Sequence, residues 1–196
     1  MLKIKIILGS TRQQRFSDKP GNWIYKEAKK KNGIDAEILD LRDYQLPFFN
    51  EPMSPGMIKD GVYPNEIARK WADKIREADA FIIVTPEYNH GISGVLKNAL
   101  DYIYAEWNNK PVGFVAYGGV GGARAVEHLR GVTIELQMAP IRNAIHIPQH
   151  WNLLDDNGDL KEGAFDPFQK SADALLNQLL WWAKALKVAR EQQENK

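Results

Sequence analysis

The sequence predicts an α/β protein in which five helices alternate with five strands of a parallel sheet. Two observations lead to this prediction. Short runs of apolar and β-branched residues end in turn-forming residues, as buried parallel strands do. The stretches between them carry apolar residues at helical spacing. Such an alternation implies a three-layer, doubly wound sheet with helices on both faces.

The elements follow one another over the whole chain. The predicted strands are Lys3–Leu8, Ala36–Leu41, Ala80–Val84, Pro111–Tyr117 and Ile141–Ile147. Four of the predicted helices run over Asp18–Lys31, Ser93–Trp107, Ala123–Leu136 and Asp166–Arg190. The remaining helix, second along the chain, begins at Asn65. Proline and glycine interrupt residues 42–64, which we expect to form a long loop. Size and order favour one domain, 1–196, with the flavodoxin-like strand order 2-1-3-4-5.

Composition excludes several function classes. The net charge of +1 gives no bias toward a nucleic acid or an anionic membrane, and it argues against a strongly acidic electron carrier. The absence of cysteine excludes disulfides, thiolate nucleophiles, iron–sulfur clusters and cysteine-ligated zinc. The N-terminus runs into a strand without a cleavage site, and no apolar stretch is long enough to span a bilayer. We therefore expect a cytoplasmic protein.

The first loop at the predicted ligand edge is Gly9-Ser-Thr-Arg-Gln-Gln-Arg-Phe-Ser17. Its hydroxyl groups, the guanidinium groups of Arg12 and Arg15 and the start of a helix would together suit a phosphate. The loop matches neither the dinucleotide fingerprint nor the phosphate loop of nucleotide triphosphatases. The alternative is that Ser10 only caps a turn and both arginines are solvated.

Two further loops follow the third and fourth strands. In Thr85–Gly94, Asn89 and Gly91 tolerate positive φ, so the backbone can turn toward a planar ligand. Glycines in Tyr117–Arg124 allow close approach of the backbone to a ligand. The alternatives are an ordinary turn with Tyr88 on the surface and a flexible connection. The four histidines show no spacing typical of a metal site or a catalytic triad.

Taken together, the three loops resemble the NADPH-dependent FMN reductase family. The resemblance covers nearly the whole chain and is most specific in Pro86-Glu-Tyr-Asn89. It implies that the first loop holds the FMN phosphate, that the second frames the isoalloxazine ring and that glycines of the third lie beneath its pyrimidine end. The residues implied in cofactor binding are Ser10, Arg12, Arg15, Phe16, Ser17, Pro86, Glu87, Tyr88, Asn89, Gly91, Gly118 and Gly119.

The resemblance also implies a reaction. Hydride passes from NADPH or NADH to the flavin and then to a small acceptor, such as free flavin, a quinone, an azo compound or a metal oxyanion, by ping-pong kinetics. No catalytic side chain and no metal are expected, because the cofactor carries the chemistry. The alternatives are an electron carrier of the flavodoxin type, an FMN-binding sensor or interaction protein, and a nucleotide enzyme without flavin.

The resemblance further implies a homodimer, or a homotetramer, whose interface includes the helix after the second loop. Three aromatic residues on that helix, Tyr102, Tyr104 and Trp107, lie outside its predicted inner stripe and are expected to face the partner. The sequence leaves open which acceptor is used and whether NADPH or NADH is preferred.

Overall fold

The structure is a computed structural model that describes residues 1–58 and 61–194. The strands are β1 (Leu2–Leu8), β2 (Ile34–Asp40), β3 (Ala80–Pro86), β4 (Pro111–Gly118) and β5 (Ala139–Pro148). The helices are α1 (Asp18–Lys29), α2 (Glu66–Arg76), α3 (Gly94–Asp101), α4 (Ala123–Glu135) and α5 (Gln169–Glu194). All strands pair in parallel in the order β2-β1-β3-β4-β5, which confirms the predicted flavodoxin-like topology. No helix in the described residues is both long and apolar enough to cross a membrane.

The central strands are buried on both faces. In β3, Phe81 and Ile83 join the core that packs against α2, α3 and α4, whereas Ile82 and Val84 join the core under α1 and α5. All four side chains are fully buried. Burial on both faces explains why this strand is a continuous apolar run without alternation.

The carboxyl ends of the strands meet at one edge of the sheet. Leu8 at the end of β1 pairs with Asp40 of β2 and with Val84 of β3. Farther along the edge, Pro86 pairs with Tyr117. The loops after β1, β3 and β4 therefore emerge side by side, where ligands bind in doubly wound sheets.

The long loop before α2 is anchored to the helices beneath it. The Asn98 side chain accepts a hydrogen bond from the Phe49 backbone N–H at 2.9 Å and donates one to the Pro47 carbonyl at 2.8 Å. Farther along, the Tyr63 hydroxyl donates to the buried Glu106 carboxylate at 2.7 Å. The expectation of a long loop is confirmed for its described residues, which exclude residues 59 and 60.

The predicted interface aromatics are mostly core residues, so that expectation was wrong. The helix ends earlier than predicted, and a separate short 3-10 turn carries Trp107 back toward the sheet. Trp107 is fully buried, with its ring centroid 5.0 Å from that of Phe81 and 6.0 Å from that of Trp71. Tyr102 is 1% exposed, and the half-buried Tyr104 packs against the same core.

Candidate active site

The first loop leaves β1 between the carboxyl end of β3 and the start of α3. The Gly9 backbone N–H donates to the Val84 carbonyl at 2.8 Å, and the Ser93 hydroxyl donates to the Gly9 carbonyl. A Cβ at Gly9 would lie 2.9 Å from a methyl carbon of Leu96. Glycine is therefore required for the loop to pass this close to α3.

Arg15 is buried beneath the first loop, and the protein itself occupies all of its hydrogen-bond donors. Its Nε donates to Asp18 at 2.9 Å, one terminal nitrogen donates to Asp40 at 2.8 Å and to the Ser10 carbonyl, and the other donates to both carboxylates. These contacts use the five N–H donors of a guanidinium group. Arg15 thus has no donor left for a phosphate, contrary to the expectation that it binds the phosphate directly.

The Asp40 carboxylate is held in its charged form. Burial alone would raise its pKa, but hydrogen bonds from Arg15 and Arg42 outweigh burial and lower the pKa to about 2. The Arg15 pKa is raised, because its bonds to Asp40 and Asp18 outweigh the effect of its own burial. The network therefore ties the first loop to the end of β2.

Arg12 differs from Arg15 in its exposure and in its hydrogen-bond partners. Its side chain is exposed, and among residues 1–58 and 61–194 its guanidinium group makes no hydrogen bond and no ion pair. The guanidinium carbon lies 5.8 Å from the centre of the Tyr88 ring, a cation–π contact that leaves its N–H donors free. Within the described part of the chain, Arg12 is therefore an unneutralised cation at the ligand edge.

The two serines of the first loop bind tyrosine hydroxyls. The Ser10 hydroxyl lies 2.9 Å from that of Tyr88, and the Ser17 hydroxyl lies 2.6 Å from that of Tyr117. Both serines are fully buried. Burial raises the Tyr117 pKa to about 12, so this hydroxyl stays protonated at neutral pH. The serines thus connect the first loop to the second loop and to β4.

The second loop is a tight hairpin turn that follows Pro86, the buried last residue of β3. The Tyr88 N–H donates to the Gly91 carbonyl at 3.0 Å, and the Gly91 N–H donates back at 2.9 Å. The central residues, Asn89 and His90, have φ of 48° and 72°, as in a type I′ turn. Of the two residues expected to tolerate positive φ, Asn89 adopts it and Gly91 does not, and His90 takes the second such position instead.

Glu87 points away from the second loop toward the start of α4. Its carboxylate accepts from the Arg124 side chain at 2.6 Å and from the backbone N–H groups of Arg124 and Ala125 at 3.0 and 3.4 Å. Burial would raise its pKa, but these bonds outweigh burial and lower it. The carboxylate caps a helix whose N-cap residue, Gly122, has no side chain to do so.

The third loop depends on glycine at two positions. Gly121 and Gly122 have φ of 71° and 69°. A Cβ at Gly122 would lie 2.6 Å from that of Ala116, and one at Gly121 would lie 2.9 Å from that of His146. Gly119, by contrast, is exposed, and a Cβ there would meet no atom within 4 Å. The loop is therefore packed tightly against β4 and β5 and open on its outer side.

The loop after β5 also reaches the site, which the sequence did not reveal. His150 begins a 3-10 turn directly after that strand. Its ring centroid lies 4.6 Å from that of Phe16 and 4.9 Å from that of Tyr117. Phe16 is itself buried, with its ring edge against Tyr117. No local motif marks His150, because only the folded sheet brings it to the first loop.

Beside the first loop lies a cleft of about 430 Å³. Thr11 forms one side, the start of α3 forms another, and residues 41–48 form the rest. The lining is mainly apolar and includes Phe48, which is 86% exposed. The cleft has the size of a small-molecule site.

The sequence profile of the family described as NADPH-dependent FMN reductase matches residues 2–152 of this chain. The chain belongs to this family. Family membership makes it an oxidoreductase with FMN and NAD(P)H as its cofactors. The matched residues include all three loops and His150.

Curated relatives agree with the family. An NAD(P)H-dependent FMN reductase of Schizosaccharomyces pombe is 40% identical over 149 residues, 75% of this chain and 74% of the relative. A 2-hydroxy-1,4-benzoquinone reductase of Burkholderia is 31% identical over 167 residues, 81% of this chain and 85% of the relative. The solved flavoenzyme NAD(P)H:(acceptor) oxidoreductase of Paracoccus denitrificans shares the fold, with a TM-score of 0.69 and 22% identity over 91% of this chain and 97% of that one.

The residues present fit the FMN of this reductase family. A phosphate ester needs charge-assisted donors, and the unpaired Arg12 guanidinium supplies them at the first loop. A flat heterocycle needs backbone within reach and space above it, and the exposed Gly119 of the third loop provides both. The buried serines hold the first loop against the second loop through Tyr88 and against β4, which leads into the third loop, through Tyr117.

Proposed function

We propose that the chain binds FMN with its phosphate at Arg12 and its isoalloxazine ring between the second and third loops. The observation that carries this placement is the unpaired guanidinium at the ligand edge, one residue beyond the edge of the cleft. Ser10 and Ser17 then act through the tyrosines that they bind. Arg15 positions the loop from below by fixing the Ser10 carbonyl and the end of β2.

Bound FMN would supply the hydride-transfer chemistry between NADPH or NADH and a small acceptor, and the protein would supply orientation and electrostatics. The exposed side of Gly119 leaves one face of the site accessible to both substrates in turn, which supports ping-pong kinetics. A quinone is our preferred acceptor class, because the cleft beside the first loop is lined mainly by apolar residues. The Burkholderia relative is also named for a quinone substrate.

The experiment that tests the function is an absorbance spectrum of the FMN-loaded protein before and after anaerobic addition of NADPH or NADH. We expect rapid bleaching of the flavin band and reoxidation when a quinone is added. Initial-rate lines for varied NADPH and quinone should be parallel. A bound flavin that stays oxidised would instead favour a carrier or a sensor, and intersecting lines would exclude the ping-pong order.

A second copy of the chain is the expected partner, although through different residues from those predicted. Tyr102 and Trp107 are core residues, so the dimer surface near α3 is represented by Phe48 and Val95, which are 86% and 39% exposed. Both line the cleft, whose wall a second copy would extend. Light scattering checks this proposal, and a monomer at working concentration contradicts it. A cytoplasmic location stays a prediction.

A further inference from the structure

His150 is held against the first loop with one ring nitrogen unsatisfied. Its ring packs on Phe16 and Tyr117, and it also contacts the Trp151 ring at 5.3 Å between centroids. The Nδ1 atom is buried and has no hydrogen-bond partner among the described residues. Buried polar atoms in proteins nearly always have partners, so an unpaired one calls for a ligand or a functional reason.

The charge that acts on His150 is that of Arg12. Burial, first, and the Arg12 charge, second, lower the pKa of His150 from its ordinary value. Two cationic or cationisable groups thus lie near each other without an acidic partner. The other arginines of this edge have acidic partners: Arg15 and Arg42 share Asp18 and Asp40, and Arg124 pairs with Glu87.

We propose that His150 is the second side chain of the FMN phosphate site and takes up a proton when the phosphate binds beside Arg12. The inference rests on the proposed placement of the phosphate at the first loop. A phosphate monoester carries a charge of about −1.5 to −2 at neutral pH. Such an anion would neutralise Arg12, favour the imidazolium form of His150 and accept a hydrogen bond from it.

Few other groups can titrate in this contact. The elements packed on His150 contribute Arg12 from the first loop and Tyr117 from β4, and no carboxylate perturbs His150 in the described residues. Tyr117 stays protonated near neutrality, because burial raises its pKa to about 12. The imidazole and the phosphate are therefore the groups of this contact whose charge can change when FMN binds.

The test compares FMN with riboflavin, which lacks the phosphate, by titrating flavin fluorescence with the apoprotein. His150→Phe keeps an aromatic ring against Phe16 and Tyr117, whereas His150→Gln keeps a hydrogen-bonding group without a titratable charge. We expect His150→Phe to weaken FMN binding about tenfold near pH 6.5 and to leave riboflavin binding within about twofold. The difference in FMN affinity between the wild type and His150→Phe should shrink toward pH 8.5, because the wild-type imidazole loses its proton there.

Calorimetry in buffers of different ionisation enthalpy gives a readout that a purely structural role does not move. FMN binding should take up more protons in the wild type than in His150→Gln. Proton uptake in His150→Gln reports the titration of the phosphate alone. Equal loss of FMN and riboflavin affinity in His150→Phe, unchanged FMN affinity, or equal proton uptake in wild type and His150→Gln would each overturn the inference.

Arg12→Met separates this inference from the placement on which it rests. If Arg12→Met weakens FMN binding but not riboflavin binding, the phosphate lies at the first loop. Unchanged FMN affinity in Arg12→Met would overturn both the placement and the inference about His150. A selective effect in Arg12→Met together with none in His150→Phe would overturn the inference alone.

Discussion

The buried charges Asp79 and Lys110 at the amino end of the sheet have protein partners, whereas Arg12 at the carboxyl end has none among the described residues. Asp79, directly before β3, accepts from Lys187 at 2.9 Å and from Arg190 at 3.1 Å. Lys110, directly before β4, donates to two carbonyls at the end of α2. At the other end, Arg15 is fully paired, but Arg12 is not.

This difference separates stability from binding. A charge that the protein pairs internally costs desolvation and fixes geometry, and it is no longer available to a ligand. An exposed unpaired charge contributes little to folding and keeps its donors for an incoming anion. Arg12 and Arg15 lie three residues apart in one loop, so they show both cases under nearly the same local conditions.

The largest expected effect comes from breaking the buried pairing at the carboxyl end. Arg15→Met should lower the free energy of unfolding of the apoprotein by about 3 kcal/mol, because Asp40 and Asp18 lose their shared partner. Arg42→Met is the matched control, since Arg42 also binds Asp40 but is 47% exposed, and it should cost less than about 1 kcal/mol. Urea denaturation without FMN measures both. Equal losses would mean that burial does not distinguish the two arginines.

Much of the fold could be predicted because its signals are local. The apolar runs and helical spacings are properties of short segments. The parallel sheet follows from the alternation of strands and helices, and the flavodoxin-like order was chosen because it fits the size of the chain. The three ligand loops were likewise found from glycine, proline and polar residues between those segments. The failures begin where an assignment depends on a neighbour that is distant in the chain.

The two arginines illustrate that limit. In the sequence, Arg12 and Arg15 are equivalent candidates for a phosphate. Only the fold brings Asp40, 25 residues beyond Arg15, to join the nearby Asp18 and occupy the Arg15 donors. His150 reaches Phe16 across the sheet from the last strand, so no spacing could reveal it. The same holds for Trp107, whose burial depends on a turn that the helical pattern does not show.

A second prediction sharpens the comparison at the amino end. Burial, above all, lowers the pKa of Lys110 to about 7 from an ordinary 10.5, and Arg190 contributes in the same direction. Between these values the unfolded chain binds the proton more fully than the folded one, so stability should rise with pH. The wild type should gain about 2 kcal/mol between pH 7 and pH 9 relative to Lys110→Met.

Urea denaturation at several pH values compares the slopes of the two proteins, not their absolute stabilities, because the substitution also removes two hydrogen bonds. Below about pH 7, Lys110 is protonated in both the folded and the unfolded wild type. The unfolding free energies of the wild type and of Lys110→Met should therefore run parallel with pH in that range. Parallel curves up to pH 9 would show that the ammonium stays charged, fully stabilised by the carbonyls at the end of α2.

The smallest effect concerns Glu87, a paired charge at the ligand end. Glu87→Gln keeps an acceptor for the N–H groups of Arg124 and Ala125 but loses the ion pair with the Arg124 side chain, which is 43% exposed. We expect a loss of about 1 kcal/mol at neutral pH. The Glu87 pKa lies below its ordinary 4.5, so this contribution is complete above that value and should vanish as the pH falls through the lower, folded-state pKa.

Glu127→Gln on the exposed side of α4 is the control and should change stability by less than about 0.5 kcal/mol in urea titrations. If Glu87→Gln and Glu127→Gln lose the same unfolding free energy at neutral pH, the Glu87 carboxylate does not hold the start of α4. Paired charges at the two ends of the sheet would then differ in their effect on stability.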